Sequence, residues 1–571
     1  MQTSETEATP GELPPSNPPP PTPSPRGRWY QSIHPPVFWP ALIIVVSFVA
    51  IATLGGDAVT EAIATLQSGI VGGFGWYYTV IVTGFVLFAL WCGFGHFGDI
   101  KLAKNDEDPE FSIGSWLAML FAAGMGIGLV FWGVAEPLHH FAGIPNRASG
   151  VAAMDEQGIE DSLVMTFLHW GLHPWAIYVV VGLAVAYAVH VKGRPISIRW
   201  TLEPLFGGRV KGWLGDVIDV AAIVGTLFGV ATSLGVGVAQ VAGGLEFLEI
   251  IGTPSNLTLA VLIGAITLLA VISVVTGVKK GMKWLSNINM GMAIGLLVFV
   301  LIAGPTLFLL REYIQATGAY LHDLVRLSFS TSALAVTNAE GVEWQGWWTA
   351  FYWGWWISWA PFVGVFIARI SRGRTVREFV LGVLFVPTVF SFLWFTVLGG
   401  TAMYREVFGE GGLVRTDAAG ENVVHESNTL FGMLEGLPGG TVVAGLAILL
   451  VVLFFVTSSD SGSLVVDMLA SGGNPEPPTW SRVLWGVLEG AVALALVFAG
   501  GLMALRGVAI AIALPFSVVM VLMVFACLKQ FRTERRQMVA AQRAMVRDRL
   551  TEHVSRTLIE DGLVEPPRRR P

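Results

Sequence analysis

Seven tryptophans fall in the 29 residues from Trp344 to Arg372, which read WQGWWTAFYWGWWISWAPFVGVFIARISR; the whole chain has 21. No charged side chain lies between Glu343 and Arg369. On a helix, Trp348, Tyr352, Trp355, Trp359, Phe362 and Phe366 recur every three or four residues and form one aromatic stripe. Indole faces attract cations, quaternary ammonium groups among them. An interfacial aromatic belt or plain helix packing would use the same residue types. A belt sits at the ends of a span, whereas this stripe runs through the middle, which favours a cation cage. Trp355, Trp356 and Trp359 read as cage residues. Trp344, Trp347 and Trp348, at the outer end, read as belt.

Other stretches place polar chemistry inside apolar runs. Ala122 to Gly128 reads AAGMGIG. Its glycines at 124, 126 and 128 each weaken a helix by about 1 kcal/mol relative to Ala. A break there frees main-chain donors that could hold a carboxylate, as helix N-termini do; small residues also serve close helix packing. Gly354 to Pro361 is the second expected interruption, because Pro361 lacks a backbone donor. Paired interruptions five spans apart point to an inverted repeat with a midplane site. Leu453 to Ser463 reads LFFVTSSDSGS at the expected end of a span. Its hydroxyls, with freed carbonyls, suit sodium, a hard cation; a polar helix end satisfying its own backbone is the other reading. Asp460 and Glu136 are alternative proton carriers. In His169 to Tyr178, HWGLHPWAIY, Trp175 and Tyr178 share a face. His169 and His173, without Cys or carboxylate neighbours in sequence, read as packing or helix-end hydrogen bonding rather than metal ligands.

Apolar side chains make up 53% of the chain and charged ones 13%, with mean hydropathy +0.64. Soluble domains carry about 25% charged residues, so the chain is read as a polytopic membrane protein. Twelve apolar runs near 38–55, 76–97, 115–135, 164–190, 217–244, 257–278, 284–310, 347–368, 379–400, 441–461, 483–505 and 507–528 are long enough to span. With the N-terminus inside, the N-tail and inner loops hold 17 Lys and Arg, against six in the outer loops, Arg506 among them; the C-tail holds the other 11. That bias predicts cytoplasmic termini. Residues 1–35 read as a disordered Pro-rich tail, 36–528 as the twelve-span domain and 529–571 as a basic, partly helical tail that either binds anionic lipid or is simply solvated. Residues 311–346 predict an amphipathic outer helix. Cys92 and Cys527 predict neither a disulfide nor a metal site. No segment has a nucleotide, metal or triad motif, so neither an enzyme nor a nucleic-acid partner is expected, and no repeated polar ring suggests a passive channel.

Four motifs together resemble the betaine/choline/carnitine transporter family (BCCT): AAGMGIGLVFWGVAEP at 122–137, HWGLHPWAIY at 169–178, FYWGWWISWAPFVGVFIARISRGRTVREF at 351–379 and FFVTSSDSGS at 454–463. The resemblance covers about residues 35–530. It implies an all-α fold of 12 transmembrane helices with a LeuT-like 5+5 inverted repeat, spans 3–7 and 8–12, after two extra helices. It also implies a homotrimer in the cell membrane and a C-tail like those that tune activity to osmotic stress in some members. By motif position, Trp170, Trp175, Tyr178, Trp355 and Trp356 match the lining of the central cavity, and Trp359 the ring most closely stacked on a trimethylammonium group. Sodium maps onto Ala122, Met125, Phe454, Thr457 and Ser458. Phe362 lies near the cavity and a second sodium site, where Thr226 is retained and Val230 replaces a second hydroxyl. Gly124, Gly126 and Gly128 would face the substrate carboxylate; Gly128 stands where proton-coupled choline carriers tend to have Asp. The implied function is sodium-coupled import of a quaternary ammonium solute, glycine betaine foremost, by alternating access, with sodium as coupling ion and no other cofactor. Ectoine, proline-betaine, dimethylsulfoniopropionate and choline also fit, and proton-coupled choline or betaine uptake, or exchange, is the alternative.

Overall fold

A computed structural model describes residues 32–104, 107–124, 126–143, 152–276, 279–331, 333, 343–561 and 563. Long helices dominate: α1 Pro35–Leu54, α2 Asp57–Phe94, α3 Ile113–Gly124, α4 Ile127–Ala142, α5 Gly158–Trp170, α6 Leu172–Ala186, α7 Trp213–Phe247, α8 Asn256–Thr276, α9 Lys279–Ala303 and α10 Thr306–Ser328. There follow α11 Phe351–Ile370, α12 Val376–Phe408, α13 Thr429–Glu435, α14 Gly440–Ala470, α15 Thr479–Phe498 and α16 Leu502–Glu560. A small antiparallel hairpin, Val414–Thr416 with Asn422–Val424, interrupts the run between α12 and α13. Ten helical segments among the described residues are long and apolar enough to cross a membrane. The chain is a helical, multi-pass membrane protein.

The expected third and eighth spans fall outside those ten for instructive reasons. The third is split: α3 ends at Gly124 and α4 begins at Ile127, with Gly126 extended between them. The break falls inside the glycine run, as its composition predicts. The eighth fails on hydropathy, because indole is less apolar than an aliphatic side chain. It is also not interrupted where expected. Helix α11 runs unbroken through Gly354 and Pro361, and the irregularity is a π-helical turn just before it, Gly346–Ala350. One missing donor is a small loss for a helix buried on almost every side. The break that the sequence did not suggest lies at Gly171, between α5 and α6.

Other helices outrun their expected ends. Helix α14 continues to Ala470, so Thr457 to Ser463 lie inside it rather than at its end. Helix α16 extends unbroken for 59 residues into the C-terminal tail. Helix α10 is the amphipathic helix expected beyond the seventh span. A capping box starts α12: Thr375 Oγ1 accepts from the Glu378 amide at 3.2 Å, and Glu378 Oε2 accepts from the Thr375 amide at 2.9 Å.

Helix α11 meets its neighbours at close quarters at three glycines. A Cβ at Gly354 would come within 2.8 Å of Ile510 Cα in α16, and one at Gly229 in α7 within 3.1 Å of the Ser358 carbonyl carbon. A Cβ at Gly364 would meet Val181 Cγ1 of α6 at 2.4 Å. Only glycine permits these approaches.

Candidate binding site

The aromatic stripe of α11 faces α4, α5 and α7. Trp355 and Trp356 stack at 4.7 Å and 13°, and Trp170 from α5 meets Trp356 edge-on at 4.8 Å. The close approach of α4 is what makes this possible: a Cβ at Gly128 would lie 2.7 Å from Trp355 Cη2 and 3.1 Å from Trp170 Cη2. Gly126 lies one contact away, its Cβ position 3.5 Å from Trp359 Cη2. Gly126 is also the N-cap of α4, and as a glycine it has no side chain to cap the first amides of that helix. The glycine break, Trp170, Trp355, Trp356 and Trp359 thus meet in one place.

What orients the rings is a carboxylate. Glu136, fully buried in α4, accepts from Trp170 Nε1 at 2.6 Å and from the Tyr352 hydroxyl at 2.5 Å. It also pairs with His169 Nδ1 at 2.7 Å and His140 Nε2 at 3.4 Å. His169 in turn reaches Thr349 through Nε2, and its carbonyl accepts from Trp356 Nε1 at 3.0 Å. Trp355 Nε1 donates to Ser233 Oγ at 3.2 Å. Among the four central indoles, those of Trp170, Trp355 and Trp356 are satisfied by protein, which is what burial demands; the Trp359 Nε1 has no partner among the described residues. Glu136, His140 and His169 offer atoms within 4.8 Å of one another. The His169 reading is therefore corrected in one respect: it does have a carboxylate neighbour, 33 residues away in sequence. That carboxylate's hydrogen bonds account for the arrangement as they stand.

Trp359 and Phe362 meet edge to face at 5.5 Å. Trp175 and Tyr178 pair with each other at 5.5 Å, both buried; among the described residues no ring contact joins them to the Trp170–Trp355–Trp356 group. Met125 lies outside the described residues, and only the helical backbone is described for Ala122 and Gly124. Phe454 is buried, and the Thr457 hydroxyl donates to the Leu453 and Phe454 carbonyls while accepting from Asn289 Nδ2 at 3.4 Å. Ser458 is half-buried on the same helix. The Thr226 hydroxyl is buried without a partner among the described residues, and the Val230 methyls press against α14 at Gly462.

Two expectations at the edges of the site change. Trp347 and Trp348 are not a lipid-facing belt: Trp348 is buried against Trp132 and His140, and Trp347 lies over Arg506. Asp460 is not a free acid, since Arg482 binds it at 2.5 Å. Among the described residues Glu489 in α15 has a free oxygen, accepting from Ser459 Oγ at 2.9 Å through the other; Asp467 in α14 and Glu312 in α10 also keep one oxygen without a partner. Glu489 and Arg506 escaped the sequence reading; a lone charge in an apolar run was the available signal.

The description "BCCT, betaine/carnitine/choline family transporter" matches residues 36–536. The chain belongs to this family. It is a transporter rather than an enzyme. The transporter is 42% identical to the glycine betaine transporter OpuD of Bacillus subtilis over 508 residues, 89% of this chain and 96% of that protein. It is 52% identical to an uncharacterized transporter of Mycobacterium tuberculosis over 505 residues, 88% of this chain and 83% of the other. It is 41% identical to a glycine betaine/proline/choline transporter of Vibrio parahaemolyticus over 527 residues, covering 89% and 92%.

Proposed function

We propose that this transporter imports glycine betaine, or a zwitterion of the same size and charge pattern, in symport with sodium. The observation that carries the reading is the meeting of Trp170, Trp355, Trp356 and Trp359 with the uncapped start of α4. Indole faces suit a trimethylammonium group, and free amides at a helix start suit a carboxylate. Relatives named as glycine betaine transporters support the substrate. The orphan hydroxyl of Thr226 supports an oxygen-seeking ion beside the site. On this reading the split α3–α4 and helix α11 are the third and eighth of twelve spans and open the two halves of an inverted repeat. Both termini are cytoplasmic, the protein assembles as a trimer, and the halves rock about the site.

The test is uptake of radiolabelled glycine betaine by vesicles containing the protein. Uptake should require an inward sodium gradient; uptake unchanged in sodium-free, potassium-balanced vesicles would sink the coupling. Proton coupling is the second reading, favoured by the half-satisfied buried carboxylate of Glu489. A pH gradient that replaces sodium in the same vesicles would establish it.

A further inference from the structure

Arg506, expected in an outer loop, is in the second turn of α16 and is 2% exposed. Its guanidinium carbon lies 4.4 Å from the ring centre of Trp347, 5.1 Å from Trp132, 5.2 Å from Phe351 and 5.3 Å from Trp348. These four rings come from α4, the π-helical turn and the start of α11. They form an aromatic box, and the chain's own cation fills it. Nε and Nη2 have no hydrogen-bond partner among the described residues. The acids nearby are engaged elsewhere: Glu426 with His139 at 3.1 Å, and Glu136 with His169, Trp170 and Tyr352. A guanidinium does not lose its proton in a protein, so this buried charge is permanent, and no direct ion pair meets it among the described residues.

The box borders the central indoles. Phe351 stacks on Trp355 at 5.4 Å and 20°, one helical turn away, and Trp132 meets Tyr352 at 6.1 Å. Charges buried at such range are weakly screened. A ligand at the central indoles that carries only positive charge is repelled by Arg506. A zwitterion carries a carboxylate whose negative charge offsets the repulsion.

We propose that Arg506 is a specificity-determining residue, which admits quaternary ammonium zwitterions and disfavours quaternary ammonium cations that lack an acid group. The inference rests on the betaine reading and adds to it a rule of selection. Choline is the probe, because it keeps the trimethylammonium group and lacks the carboxylate. The experiment measures inhibition of labelled glycine betaine uptake by unlabelled choline and by unlabelled betaine, and reads the ratio of the two inhibition constants, so that a change in total uptake cancels.

In Arg506→Gln the preference for betaine over choline should fall about tenfold, which corresponds to about 1.4 kcal/mol. Arg506→Lys keeps the charge and should stay within about threefold of the parent ratio. An Arg506→Gln protein that takes up betaine with its choline discrimination intact overturns the proposal. So does an Arg506→Lys protein that loses discrimination as fully as Arg506→Gln, because box shape rather than charge would then be responsible. Should Arg506→Gln fail to reach the membrane, Glu426→Gln decides: removing a nearby negative charge should strengthen discrimination about two- to threefold, and an unchanged or weaker preference overturns the proposal. Absence of betaine uptake by the parent protein is the separate result that overturns the betaine reading itself.

Discussion

The middle and the N-terminal end of α11 carry two aromatic groups of the same residue types, held together in opposite ways. In the middle, the polar edges of Trp170, Tyr352, Trp355 and Trp356 are tied to Glu136, to Ser233 and to the His169 carbonyl. Their geometry is set by hydrogen bonds and needs no cation. At the N-terminal end the rings converge on Arg506, and Trp132 Nε1 has no partner among the described residues. That group is organised by its cation. A box whose walls are fixed without an occupant is preorganised for one that arrives and leaves, which lowers the ordering cost of binding. A box built around a tethered cation holds it permanently.

The largest effect that would break this contrast is expected at Glu136. Replacing it with Ala strands the buried donors of Trp170, Tyr352 and His169, each worth about 1–3 kcal/mol unsatisfied. The Glu136→Ala protein should unfold at clearly lower temperature in detergent and lose most betaine uptake. Near-normal affinity would show that the central rings do not depend on hydrogen bonds for their orientation. Trp359→Leu comes next. A desolvated cation–π contact is worth about 2 kcal/mol, so betaine binding should weaken roughly thirtyfold by titration calorimetry with little change in thermal stability. An unaltered affinity would remove Trp359 from the cage.

The smallest effect concerns the charge balance around Arg506. Burial raises the Glu426 carboxyl, but the His139 hydrogen bond and charge, with the Arg506 charge, outweigh it and hold the group below its ordinary value. A carboxyl depressed in the folded state stabilises the fold above the usual carboxylate range and loses that contribution as pH falls through the depressed value. Glu426 is partly exposed, so the contribution is under about 1 kcal/mol. Parent and Glu426→Gln proteins should therefore differ slightly in thermal unfolding at neutral pH and converge in acid. A gap that persists or widens in acid would place the stabilisation elsewhere.

Local signals predicted local features well. The glycine run at 122–128 does break the helix, the stripe from Tyr352 to Phe366 does lie on one helix, with Trp348 in the π-helical turn before it, and the amphipathic α10 follows from its own periodicity. What the sequence hid is long-range. Apart from His140 one helical turn on, Glu136 finds its partners 33, 34 and 216 residues away, and no spacing rule connects those. The hydroxyls after Thr457 suggested an ion at a helix end, yet in the continuous α14 Ser459 is met by Glu489 and Asp460 by Arg482. Charge counting places Arg506 in a loop because it presumes that cations avoid apolar runs; four aromatic rings make this one tolerable inside. Pro361 misled for a related reason, since a lost hydrogen bond breaks an isolated helix more readily than one encased in protein.

The glycine contacts along α11 bear on how the site can open. At Gly354, Gly229 and Gly364, α11 meets α16, α7 and α6 with no side chain of the glycine to cushion the approach. Rolling or sliding α11 past any of them would drive backbone into backbone, or into Val181. Loosening α11 by itself is therefore the costly route to access. The economical moving part is a block in which α11 travels together with its glycine-locked neighbours, and the sliding surfaces must be sought where side chains, not main chains, meet.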